Sequence, residues 1–236
     1  MNAQFRRALL AAAAKPYRNA GRFAWHFAKG KLSGDPVFFG MLEHGVIPDC
    51  HRLIDLGCGQ GLLAAWLSEA RAFYQAGNWP EHWPPPPRVD NVWGLELMPR
   101  DVERARAAVG DRAQFMLGDI CTADFGKADV AVIMDVLHYI DYAAQEDVLQ
   151  RVRAALPAGG TFLTRVGDAA GGLSFHVCNW VDRMAFFMRG HRLDRLYCRT
   201  LSEWLALLEK HGFEAAPLPM NQGTPFANVM LIAKAT

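Results

Sequence analysis

The densest chemical feature of the chain is an acid followed by three glycines within five residues, Asp55-Leu56-Gly57-Cys58-Gly59-Gln60-Gly61. Glycines so spaced let the backbone turn sharply and lie against a ligand where any Cβ would collide. The dinucleotide fingerprint G-x-G-x-x-G is the obvious rival, but its third glycine would fall on Leu62. A pyrophosphate at the start of the following helix would also sit beside Asp55 and be repelled by it. A carboxylate there suits a cationic ligand, a sulfonium or an ammonium.

Further acids follow, each closing an apolar run: Glu96, Asp119 and Asp135. A carboxylate at the carboxyl end of a strand, such as Glu96, can accept hydrogen bonds from both hydroxyls of a diol. A solvated loop residue is the ordinary alternative, and it is the place of Glu96 in a series of strand-end acids that favours the site. Asp135 reads either as a site residue or as a helix cap. His138, just beyond it, is the best-placed general base, with backbone bonding in the loop as its alternative role. His176 reads as a surface histidine or an acceptor contact, and His211 as a helix-end cation. No His, Cys, Asp or Glu cluster has metal-ligand spacing.

The elements that must position these residues alternate from residue 51 onward, strand then helix, which predicts a parallel sheet covered on both faces. Strands are expected at 51–56, 92–96, 113–117, 128–134 and 161–166, with a final pair at 213–217 and 227–233. Helices are expected at 62–72, 99–109 and 143–156, and from a Ser202 cap through 211. Trp79, Pro80, Trp83 and Pro84 to Pro87 make 76–90 an inserted loop. The aromatic segment 171–199 (Phe175, Trp180, Met184, Phe186, Phe187, Met188) reads as core or as a cover over an acceptor pocket.

With 236 residues, 51% hydrophobic and 21% charged, the chain can bury a core, and no apolar run reaches the roughly 20 residues of a membrane span. Five scattered cysteines predict reduced thiols in a cytoplasm. The net charge of +1 hides an asymmetry: residues 1–34 carry seven bases and no acid, against 18 bases and 24 acids in the remainder. Aromatics interleave with those bases. Such a segment fits an acidic partner, or it lies as a basic helix over the acidic remainder.

The motifs together resemble those of the class I S-adenosylmethionine-dependent methyltransferases, over residues 50–166 motif by motif and beyond by element order. That resemblance implies a Rossmann-like, doubly wound, seven-stranded, mostly parallel α/β sheet with its last strand antiparallel. It divides the chain into an N-terminal helical cap or arm, 1–49, and a catalytic domain, 50–236. It implies a donor site of Asp55, Gly57, Cys58, Gly59, Gln60, Gly61, Glu96, Leu97, Asp119, Ile120 and Asp135, with S-adenosylmethionine as cofactor and no metal. Asp135-Val-Leu-His138-Tyr139 matches the motif facing substrate and methyl donor, which makes His138 and Asp135 the catalytic candidates. Lys31 is expected to pair with the donor's carboxylate if the N-terminal segment folds over the cleft. The interval from Asp55 to Glu96, 41 residues, departs from the usual spacing of about 20, and the 76–90 insertion accounts for the excess.

The expected activity is methylation of a small, apolar or aromatic acceptor on oxygen or carbon. A weaker similarity to methyltransferases of aryl-polyene and polyketide-type pigment clusters implies an acceptor carried on an acidic acyl carrier protein. The alternatives are a nucleic-acid methyltransferase or binding protein using the basic segment, and a scaffold that binds cofactor without turnover.

Overall fold

The computed structural model describes residues 3–170, 195–220 and 228–236. Strands β1 (Cys50–Leu56), β2 (Val89–Glu96), β3 (Gln114–Leu117), β4 (Val130–Met134), β5 (Thr161–Gly167), β6 (Phe213–Pro219) and β7 (Asn228–Ala235) form one sheet. Their order is β3-β2-β1-β4-β5-β7-β6. β1 lies parallel to β2 and β4, β3 to β2, and β5 to β4, while β7 runs antiparallel to both β5 and β6. The sheet is therefore the doubly wound, mostly parallel one that the resemblance implied, with an antiparallel last strand. β1 and β4 are neighbours although two strands, β2 and β3, separate them in sequence, so their carboxyl ends flank a topological switch point, where such sheets bind ligands.

Among the described residues seven α-helices accompany the strands: α1 (Ala3–Ala14), α2 (Arg22–Gly34), α3 (Val37–Glu43), α4 (Leu62–Gln75), α5 (Pro99–Val109), α6 (Tyr142–Ala155) and α7 (Leu201–Lys210). They divide the core in two. One face packs Leu53, Val130, Val132 and Leu163 against α4, α5 and the N-terminal helices. The other packs Ile54, Ala131, Ile133 and Phe162 against α6 and α7. Alternate residues of each central strand thus serve opposite layers, and β4, buried through Val130–Ile133, has no polar face to show.

The N-terminal helices contribute Leu9, Ala13, Tyr17, Ala24, Ala28, Leu32 and Phe38 to the same core as the sheet. The loop after α4 is what clamps α1 in place. Phe5 sits edge-on to Phe73, Trp79 and Trp83 at 6.0, 5.5 and 5.6 Å, and the Arg6 guanidinium lies 4.5 Å from the Phe39 ring. The Trp79 indole donates to the Pro84 carbonyl at 3.0 Å, which fixes the proline run. The tryptophans and prolines of the insertion are thus packing residues for the cap.

Element ends differ from the sequence reading in instructive ways. β2 begins at Val89, three residues early, because Cys50 of β1 pairs with it. The last helix is capped by Thr200, not Ser202. Its hydroxyl accepts from the Glu203 amide, and the Glu203 carboxylate accepts from the Thr200 amide, a capping box. Asp141 caps α6 by accepting from the Ala144 amide at 2.8 Å, so the helix entrance does not use Asp135. Among the described residues, no helix is long and apolar enough to cross a membrane.

Candidate functional site

The glycine turn connects β1 to α4, and its three glycines do different things. All have positive φ: Gly57 +78°, Gly59 +54° and Gly61 +74°. A Cβ on Gly57 would stand 2.4 Å from Cγ2 of Val136, and one on Gly61 2.7 Å from the Phe115 ring, so both are demanded by packing. Gly59 has nothing within 4 Å of where its Cβ would be. Its bare face is open, and it is the glycine available to a ligand.

Glu96 braces this turn. Its Oε2 accepts from the Gly59 amide at 2.8 Å and its Oε1 from the Met98 amide at 2.9 Å. Two carboxylate oxygens offer about four lone-pair sites, the kind of acceptor group a ribose diol calls for. Asp55 is buried behind it; burial first, and then the negative charge of Glu96, push its carboxyl up to about 7. Burial drives the Cys58 thiol upward too, which makes it an inert wall. Gln60 is buried with neither side-chain amide atom hydrogen-bonded, while its carbonyl accepts from the Tyr17 hydroxyl at 2.9 Å. Leu97 and Leu117, at the ends of β2 and β3, are 57% and 56% exposed. Asp119 turns its Oδ1 to the Cys121 amide at 2.8 Å, and Ile120 is buried.

These features fit an adenosyl sulfonium ligand. An orphaned buried amide, an open glycine backbone and two strand-end carboxylates supply polar partners, and two bare leucines supply apolar flanks.

A second cluster occupies the ends of β4 and β5. Asp135 is the sole described non-glycine residue with positive φ, +57°, a conformation aspartate tolerates at a cost. Its Oδ1 accepts from Arg165 Nε at 2.7 Å, and its Oδ2 accepts from Arg165 Nη2 and, at 3.3 Å, from Lys31. Arg165 also grips Asp35 with Nη1 at 2.5 Å and Nη2 at 2.7 Å, and Lys31 reaches Asp35 at 2.8 Å. Asp35 lies between α2 and α3, so this network ties the cap to the sheet. Burial alone would raise Asp135, but Arg165 and Lys31 outweigh it and hold the carboxyl below the usual range. Asp35 is held low by the same pair against the same burial.

His138 follows in a 3₁₀ turn, Leu137–Tyr139. Its ring lies 4.1 Å from that of Tyr139, and burial is the main cause that brings it down to about 4. The turn is held by Gln145, whose amide donates to the carbonyls of Leu137 and Tyr197 at 3.0 and 2.8 Å. The Tyr197 amide donates to the His138 carbonyl at 2.9 Å.

Asp55, Gly57, Gly59, Glu96 and Asp135 thus meet around the β1/β4 switch point as the strand-end pattern implied. Lys31, expected to pair with a donor carboxylate, faces Asp35 and Asp135 of the chain itself. His176 and the aromatic run Phe175, Trp180, Met184, Phe186, Phe187 and Met188 lie outside the described residues. Sequence reading missed Arg165, Asp35 and Tyr17. A charged residue inside Thr161-Phe-Leu-Thr-Arg-Val166, a strand with no solvated face, was the available signal for Arg165; nothing marked Tyr17.

The basic N-terminal bases do not form a loose arm. Arg7, Lys15, Arg18, Arg22 and Lys29 are exposed on the helical cap and have no ion pair among the described residues. Phe23, 55% exposed, lies under Arg104 at 4.6 Å, and Trp25 under Arg18 and Lys29 at 5.0 and 5.6 Å. Arg6 differs, since it pairs with Glu43 at 3.1 Å. Among the described residues no group of three or more His, Cys, Asp or Glu could hold a metal ion.

Residues 3–218 match the protein family described as a methyltransferase domain. A curated relative, the carboxy-S-adenosyl-L-methionine synthase of Chromohalobacter salexigens, is 28% identical over 142 residues, 56% of this chain and 47% of the relative. The match therefore spans about half the length of that relative. Among solved structures, magnesium protoporphyrin IX methyltransferase from Synechocystis PCC 6803, with bound SAH, superposes with a TM-score of 0.60 at 16% identity, covering 98% of each chain. Human N-acetylserotonin methyltransferase, in complex with SAM, superposes with a TM-score of 0.57 at 15% identity, over 99% of this chain and 59% of that one. At those identities the superpositions speak for the fold.

Proposed function

The chain belongs to the methyltransferase-domain family, among the class I S-adenosylmethionine-dependent enzymes, and from that premise we propose that it methylates a small aromatic or apolar acceptor on oxygen or ring carbon. The observation that carries the donor part of this reading is the open backbone of Gly59, whose amide donates to the strand-end carboxylate of Glu96. Asp55, Gly57, Cys58, Gly59, Gln60 and Gly61 would hold the methionine part of the donor, Glu96 and Leu97 its ribose, and Asp119 and Ile120 its adenine. Bound there, S-adenosylmethionine supplies an electrophilic methyl group on a cationic sulfur.

The chain's own contribution is positioning. The network that fixes Asp135 beside the glycine turn holds the acceptor side of the cleft rigid, which is where proximity lowers the barrier. Asp135 serves as an orienting charge: all of its acceptor bonds go to Arg165 and Lys31, so proton removal by it would break a buried ion pair. His138, neutral at pH 7, orients the turn through Tyr139 and Tyr197. The exposed basic face with Phe23 supports a finer reading, in which an acidic acyl carrier protein presents the acceptor. The small molecules named for the structural neighbours, magnesium protoporphyrin IX and N-acetylserotonin, agree with a small acceptor.

Calorimetric titration with S-adenosylhomocysteine tests the donor reading. Binding should be abolished by Gly59→Arg, which fills the open face. No binding at millimolar ligand, or undiminished binding by the variant, would remove it.

A further inference from the structure

The hydrogen-bond accounts of the four-residue network at the ends of β4 and β5 are uneven. Arg165, 2% exposed, directs Nε, Nη1 and Nη2 at Asp35 and Asp135. Both oxygens of Asp135 are engaged, and both of Asp35 as well. Lys31 donates to Asp135 at 3.3 Å and forms an ion pair with Asp35 at 2.8 Å. Its side chain is 36% exposed, the most open of the four, and its described charge partners are these two carboxylates alone. The network is electrically neutral, and its outward pole is a cation.

That pole is joined through Asp135 to the end of β4, beside the glycine turn. The contact forced on Gly57 by Val136, the residue after Asp135, sets the cluster directly against the glycine turn. The two proton acceptors nearby are poorly suited to activate a neutral hydroxyl. Asp135 is gripped by three donors, and a histidine held near 4 is a weak base for a phenol of pKa about 10. A nucleophile effective here arrives already ionised. Among common oxygen acceptors a carboxylate, with pKa about 4, meets that condition at neutral pH.

We propose that the acceptor is a carboxylate, methylated on oxygen to an ester, and that Lys31 binds it through its partly exposed ammonium. A carboxylate lone pair forms the new O–CH₃ bond while the methyl–sulfur bond breaks. The bonding pair remains on sulfur, the sulfonium becomes a thioether, and no proton is released. The inference rests on the donor reading above and names the acceptor class of the same site.

The test is calorimetry on the full chain saturated with S-adenosylhomocysteine, titrated with benzoate and 2-naphthoate against their neutral isosteres benzamide and 2-naphthamide. Wild type should bind the acids at least tenfold more tightly than the amides. Lys31→Met should erase that preference and Lys31→Arg restore most of it, with S-adenosylhomocysteine affinity unchanged in both. A preference that is absent from wild type, or that survives Lys31→Met, overturns the proposal alone. So does a fall in S-adenosylhomocysteine affinity in Lys31→Met, which would assign Lys31 to the donor. Failure of wild type to bind S-adenosylhomocysteine overturns the donor reading, and this proposal with it.

Discussion

Replacing Arg165 by methionine should expose how much of the fold's stability is held in one buried guanidinium. The side chain is 2% exposed and bridges carboxylates 30 and 130 residues away in sequence. Removing one partner of a buried ion pair costs about 3–5 kcal/mol, because the charges left behind have lost their solvation and their partner. Here Lys31 still touches both carboxylates, and the Asp135 side chain is 28% exposed, which puts the expected loss near the lower end, about 3 kcal/mol. Urea unfolding at pH 7, followed by circular dichroism, measures it. The pH dependence checks the cause. Asp35 and Asp135 are both held below their ordinary range, so the stability they contribute is complete above the unfolded carboxylate value and lost as pH falls below it. The gap between wild type and Arg165→Met should therefore be full at pH 6–7 and shrink below about pH 4. A loss under about 1 kcal/mol at pH 7, or a gap unchanged at pH 3, would refute the argument.

Three further outcomes are expected. Gly57→Ala should cost about 1–3 kcal/mol through overpacking and weaken S-adenosylhomocysteine binding. Adding Val136→Ala should recover part of the melting temperature, since the offending atom is Val136 Cγ2. Asp55, raised to about 7 in the fold, contributes stability that is complete below about pH 4 and declines as pH rises through 7. A shift of that size is on the order of 4 kcal/mol, and Asp55→Asn should flatten the decline in urea titrations between pH 4 and 8. Changing Arg7, Lys15, Arg18, Arg22 and Lys29 together to Gln should raise KM for a carrier-held acceptor much more than for a free one, an effect that salt mimics; equal effects on both would remove the carrier reading. Arg6 is left out because its guanidinium packs on Phe39 and Trp83.

The order of strands and helices, the turn at Gly57–Gly61 and the acids at the strand ends were legible in the sequence, because each is governed by local rules. Apolar periodicity selects strand or helix, glycine alone accepts the positive φ of the turn, and the parallel sheet then brings every strand's carboxyl end to one edge. Asp55, Glu96, Asp119 and Asp135 could be placed there without coordinates for that reason. What each of them does there was decided by partners distant in the chain. Asp135 looked like a base or a cap until Arg165, Lys31 and Asp35 closed around it. The basic cap looked like a free arm or a docked helix, until the insertion's Trp79 and Trp83 were found holding Phe5 and Arg6. Protonation and packing depend on which groups lie within a few ångströms and on how much water is excluded, and only the folded chain sets those distances.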